Sequence, residues 1–433
     1  MIYFSNYISL IQRIKIEITL LIPFCLLSLN TLAASPDGTD LYLEGKYNSA
    51  IQLWQIDAEK EDPRSVFLLG MMHLEGSGVP LDRSRAFHYL QRSALNDYSL
   101  ALPMLGRLYE TGGAGVPWKP KQAEHWYSKA TVALEKIQAL AESGDVFAQR
   151  VLGWMLAKGK GAGKNPVRAE AWLYGASEKG DLVAGLHLAE LHEREKRREK
   201  AEQVLKEMLD RIKARHGAVH PLMGQATHQL ARVVAASGRQ DEAERLYLEA
   251  SKIRKESLGP QHSFVANSLN NLANLYKNLG HYAEAEPLYE RSLAIREKTY
   301  GPNHPKVAAS LNNLAIIYSD QGRYAEVETL HKRALAIHMK ALGTDHTKVA
   351  GSLNNLANLY RKQGRYAGAE SLYQRALVIR EKTYGPNHPK VAGSLNNLGI
   401  LYRKQGLYAE AESFFERSLA IREKTYGPNH PKV

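Results

Sequence analysis

The chain has 433 residues, room for two or three domains of ordinary size, and a 44% apolar content with mean hydropathy −0.38 describes a folded, water-compatible protein. Its net charge of +12 suits an acidic partner, but Lys and Arg are spread along the chain, as on a solvated surface, and form no dense basic stripe for nucleic acid. One cysteine, Cys25, excludes an intrachain disulfide or a thiolate zinc site, and it sits in a segment expected to be removed.

Residues 1–34 have the layout of an export signal. Arg13 and Lys15 precede the apolar run "ITLLIPFCLLSL" (18–29), and small residues around Thr31 and Ala33 mark a cleavage point before Ala34. The run is shorter than the roughly 20 apolar residues of a bilayer span. The expected location is therefore the periplasm or outside the cell. A membrane anchor at 18–29 and a cytoplasmic chain are the alternatives, and Glu17 and the long basic lead speak for them.

Residues 35–194 repeat loosely. "LGMMHLEGSGVPLDRSRAFHYLQRSA" (69–94), "LGRLYETGGAGVPWKPKQAEHWYSKA" (105–130) and "LGWMLAKGKGAGKNPVRAEAWLYGAS" (152–177) share an outline: Leu-Gly opening an apolar helix, a Gly-rich turn, then a second helix with Ala and aromatic residues. Gly70 and Gly106 are 36 apart, Gly106 and Gly153 are 47 apart, and the surplus in 131–141 predicts a lengthened helix. A helix over 40–60 is predicted to start the array. The charged run "EREKRREK" (193–200) reads as a solvated helix face or turn joining this array to the next.

Residues 195–433 repeat strictly. His220, His262, His304, His346, His388 and His430 are separated by 42 residues each, and Ala201, Ala243, Ala285, Val327, Ala369 and Ala411 keep the same step. Within one period, Leu311, Leu314, Ala315 and Tyr318 form a helical stripe. Gly322 breaks it, and a second stripe follows through Tyr324, Val327, Leu330, Ala334 and Ile337 to Gly343. "TYGPNHPKV" is then the joint between units. A glycine closes one helix, Pro302 cannot continue it, and Pro305 starts the next helix behind a cap at His304 or Asn303. One such hairpin cannot bury its own apolar face, so the predicted fold is all-α, a superhelical solenoid of stacked hairpins.

These repeats resemble the tetratricopeptide repeat in its kinesin light chain-like form over 195–433, and the looser array over 35–194 resembles Sel1-like repeats. The resemblance implies a non-catalytic adaptor that holds an extended peptide of a partner protein in its concave groove. The expected groove residues are Asn270, Asn312, Asn354 and Asn396, then Asn274, Asn358, Lys277, Arg361, Lys362, Arg403 and Lys404. An amide both donates to and accepts from a peptide backbone, and the cations would meet acidic side chains. In kinesin light chains such a surface takes acidic, Trp-containing peptides. Asn271, Asn313, Asn355 and Asn397 are assigned a structural role between neighbouring helices. Ile316 and Ile400 stand where 274 and 358 are asparagines, so the groove is expected to alternate polar and apolar patches.

Enzyme signatures are weak. "GKGAGKN" (159–165) lacks the Ser/Thr and the preceding strand of a phosphate loop and aligns with the other Gly-rich turns. His187 and His192 are five apart, not the four of a zinc protease helix, and histidines one repeat apart are too distant to share an ion. No cofactor or metal is expected. The other readings are a non-specific nucleic-acid binder or a passive envelope spacer. The chain stops just after another joint, and fraying or self-association is expected at that end.

Overall fold

The computed structural model describes residues 38–431; the export-signal expectation for 1–34 lies outside them. Twenty-one helices and no strand occur among the described residues. A short pair, α1 (Gly38–Leu43) and α2 (Tyr47–Glu59), stands in front, where the sequence reading expected one helix over 40–60. Gly45 in a positive-φ conformation separates the two. Three hairpins follow: α3 (Pro63–Glu75) with α4 (Arg83–Leu95), α5 (Ala101–Thr111) with α6 (Pro120–Val132), and α8 (Val146–Lys158) with α9 (Pro166–Glu178). The surplus residues before α8 form a helix of their own, α7 (Leu134–Glu142), in place of the expected lengthening.

The next hairpin pairs α10 (Leu182–Arg194) with α11 (Arg198–His216), so "EREKRREK" is a turn within one unit that straddles residues 194 and 195. Five units of equal length complete the chain: α12 (Pro221–Ala236) with α13 (Gln240–Leu258), α14 (Ser263–Leu279) with α15 (Tyr282–Tyr300), α16 (Pro305–Asp320) with α17 (Tyr324–Leu342), α18 (Thr347–Lys362) with α19 (Tyr366–Tyr384), and α20 (Pro389–Lys404) with α21 (Tyr408–Tyr426).

The spaced histidines cap the first helices. His220, His262, His304, His346 and His388 each accept, through Nδ1, the backbone N–H two residues on, at 3.1–3.2 Å. Each satisfies one of the donors that a helix start leaves free. His304, not Asn303, is therefore the cap of its joint. Gly301 has φ 83° and ψ 157°, a positive-φ but extended conformation that turns the chain between units.

Units are fastened by polar contacts that recur with the period. Arg254 and Arg296 each donate to a serine of the next first helix, Ser268 at 2.8 Å and Ser310 at 2.6 Å, and Arg380 does so to Ser394. His338 takes the same place opposite Ser352. Arg323 and Arg365 lie 3.6 Å over the rings of Tyr318 and Tyr360 and reach back to Glu286 and Glu328 of the preceding unit.

The two arrays also touch far apart in sequence. The Gly-rich turns of the first hairpins rest on joints of the strict array. His220 Nε2 lies 3.2 Å from the Gly76 carbonyl, the Trp118 ring meets His304, and Ala114 N–H points at the Thr299 carbonyl at 3.4 Å. Gly113, φ 85°, lies so close to Tyr300 that a Cβ there would fall 2.2 Å from a ring carbon. The early turns thus clasp the later joints.

Candidate functional site

Residues from six first helices, α3, α5, α8, α10, α12 and α14, with Arg83 at the start of α4, converge on one partly open cavity of about 80 Å³. This is the concave side of the solenoid. At its wall Arg150 is buried between Glu75, 2.7 Å away, and Asp181, 3.2 Å away. Burial opposes the charge of Arg150, but the carboxylates of Asp181 and Glu75 outweigh it and raise its pKa, while burial pushes the Glu75 carboxyl up. Tyr42 donates to Glu75 at 3.0 Å, and Asp181 caps α10 through Val183 and Ala184. None of Arg83, Arg107, Arg150, Trp154 and His187 was singled out as cavity lining by sequence spacing. They come from units whose mutual rotation no single repeat reveals, and the Leu-Gly outline marks their helices but not their inner faces.

In the strict array the expected groove residues divide. Asn270 is buried, and its side-chain oxygen accepts from Asn313, one unit on, at 3.1 Å, and from Arg296 at 3.4 Å. Asn354 accepts from Asn397 at 2.6 Å, and Asn312 faces His331 Nδ1 at 3.0 Å. Asn270 and Asn354 thus lie in amide contacts that join neighbouring first helices, and of the four only Asn270 is buried; Asn312 instead faces a histidine of its own hairpin. Asn274 and Asn358 accept from Tyr289 and Tyr373 of their own hairpins. Where the first helix carries Ile316 or Ile400 instead, the tyrosine position holds His331 or Phe415. The alternation of asparagine and isoleucine follows whether the second helix presents a hydroxyl.

The structure brings Asn358, Arg361 and Lys362 together with Ile316, Asp320, His331 and Asn355 around a cleft of about 330 Å³ between two units. Ile316 is 43% exposed at its edge, and Lys362 donates to Ser319 at 3.1 Å. Asn355, assigned to the structural row, lines this cleft, whereas Asn354 does not. Asn396 and Arg403 share a second cleft with Tyr408, Phe415 and Leu419. Lys404 is exposed, and Lys277 lies half-buried in the last turn of α14. Among the described residues no cluster of three or more His, Cys, Asp or Glu is placed to hold a metal ion, and no helix is long and apolar enough to cross a membrane.

The tetratricopeptide repeat family model matches residues 181–256, 264–340, 348–424 and 391–433, more than half of the chain. The chain belongs to the tetratricopeptide repeat family. Sel1 repeats occupy 63–98, 99–131 and 146–181. Repeat proteins of these two kinds generally mediate protein–protein interaction and are typically non-catalytic scaffolds. The alginate biosynthesis protein AlgK of Pseudomonas syringae pv. tomato is 26% identical over 130 residues, 30% of this chain and 25% of that protein, so the chain spans about a quarter of its relative's length. The nearly identical TPR-like repeats of a candidate kinesin light chain from Podosopora anserina are 31% identical over 48% of this chain and 98% of that one, with a TM-score of 0.43. A STAND-class signal transduction ATPase with a tetratricopeptide repeat sensor from Pyrococcus horikoshii covers 84% of this chain and 53% of its own at 14% identity, with a TM-score of 0.56; it shares the fold.

Proposed function

We propose that this tetratricopeptide repeat protein is an exported adaptor that grips an extended, acidic segment of a partner protein along its first helices. The observation that carries this reading is the cleft between α16 and α18. There the exposed Ile316 offers an apolar anchor, and Asn355, Arg361 and Lys362 stand beside it. An apolar side chain of the partner would seat on Ile316, its backbone would pair with the Asn355 amide, and a neighbouring carboxylate would meet the cations. Arg403 and Lys404 extend the positive edge one unit further, and Lys277 lies at the equivalent turn of α14.

The test uses the chain without residues 1–34 and a fluorescent peptide carrying one tryptophan flanked by glutamates. The double variant Ile316→Asp, Lys362→Glu should weaken binding at least tenfold while the helical circular dichroism stays as in the parent. Both residues lie at the cleft's edge, so the fold should survive the change. Equal binding by the parent and the variant would remove the cleft from consideration, and no binding by the parent would reject the peptide class.

A further inference from the structure

We infer that the cavity between the two arrays binds a carboxylate carried on a small apolar body, with Arg107 as its principal cationic partner and Arg83 and His187 beside it. The cavity is separate from the cleft at Ile316, and the two readings stand or fall independently.

Charge bookkeeping inside the lumen leads there. Arg150 is matched by Glu75 and Asp181, and Lys158 is paired with Glu190. Arg83 lines the cavity while donating to Thr111 Oγ1 at 2.7 Å and to the Gly112 carbonyl at 3.4 Å, neither of them an anion. Arg107 lines it too and makes no hydrogen bond or ion pair among the described residues; its guanidinium lies 5.5 Å from the centre of the Trp154 ring. Burial lowers the pKa of both arginines; the nearby charges of Glu190 and Glu75 oppose this at Arg107 without outweighing it, and no carboxylate stands in contact with either guanidinium. His187, on the same wall, is 8% exposed and its Nδ1 has no partner. Two guanidinium groups with no carboxylate in contact and a buried imidazole nitrogen without a partner, all on one cavity, suit an anion that accepts several hydrogen bonds.

The walls select which anion. Beside the paired Glu75 and Arg150 and the amide of Gln225, much of the lining is apolar, with Met71, Met104, Trp154 and Phe264, a poor setting for a hydrated phosphate and a good one for a few carbon atoms. A volume of about 80 Å³ limits the occupant to a group the size of a short acid or an acidic side chain.

Calorimetric titration of the chain with butyrate, with acetyl-Leu-Glu-Leu-amide and with inorganic phosphate at matched ionic strength tests the site. One-site binding of butyrate or of the tripeptide is expected. Binding should weaken at least tenfold in Arg107→Gln and recover in part in Arg107→Lys. Tighter binding of the tripeptide assigns the carboxylate to a partner's side chain, and tighter binding of butyrate to a free acid. In the parent chain the His187 ring resonances should shift on saturation, a readout that needs no variant. Failure of both carboxylates to bind, phosphate binding equal to theirs, unmoved His187 resonances, or full affinity in a folded Arg107→Gln chain would each overturn the site.

Discussion

The two arrays reach the same architecture by different means. In the Sel1-type array a single apolar cluster runs from Leu41 to Leu191, helices start on Asp62, Asp82, Asp145, Asn165 and Asp181, and a buried Glu75–Arg150–Asp181 triad ties three units together. In the strict array the apolar contacts divide among several clusters, a large one from Leu182 to Leu275 at its start and small ones further on, such as Val307, Ala308, Leu311, Ala334 and Ile337. Its first helices start on histidines, and units are pinned to the next by recurring Arg–Ser and Tyr–Glu contacts and, at two joints, by Asn–Asn contacts. An irregular array can place a few large, unique interactions. A regular one must divide its cohesion among copies that each fit every neighbour. The loss of one contact should therefore be severe in the first array and modest in the second.

The largest effect is expected at the triad. Arg150→Met leaves two buried carboxylates without a cation and should cost about 3–5 kcal/mol in urea unfolding of the N-terminal array. Next comes the clasp. Gly113→Val forces a branched side chain both into a positive-φ backbone and against Tyr300, and should cost about 1–3 kcal/mol. Its distinctive sign would be faster hydrogen exchange at residues 299–304 together with 112–118; exchange unchanged at the joint would mean that the clasp adds nothing.

The histidine caps predict a pH dependence. Burial holds His304 and His262 at about 4, below the ordinary value near 6.5. Above that ordinary value both states are neutral and the caps contribute in full. As pH falls from 6.5 towards 4 the unfolded chain takes up protons that the folded chain refuses, so stability declines through that window. His304→Asn keeps a cap without an imidazole and should flatten part of the slope in urea midpoints measured from pH 7 to 4; an unaltered slope would contradict this account.

The smallest change should follow Tyr373→Phe, which removes the hydroxyl donated to Asn358 and should cost about 1 kcal/mol. Adding Asn358→Ile recreates the Phe415–Ile400 combination found one unit later, and thermal denaturation should show most of the loss restored. Additive losses would mean that the two positions are not a pair.

Sequence alone was enough for the period, for the hairpins, for the glycine turns and for the joint, because each rests on interactions within a few residues: a helical stripe, a cap, a proline that cannot continue a helix. The expectation for 40–60 passed over Gly45, a glycine that takes positive φ and ends a helix as the other turn glycines do, and that for 131–141 went astray at Ala133, where a helix ends without a strong local signal. The asparagines show where the limit lies. Neighbours on a helix are turned by about 100°, so Asn354 and Asn355 face different surroundings, and only the packed next unit decides which one enters the ladder and which one lines the cleft. The clasp and the cavity depend on the small rotation of each unit on the last, summed over several units. That sum is set by how side chains from different repeats interdigitate, so tertiary structure alone placed Arg107 beside His187 and Gly113 against Tyr300.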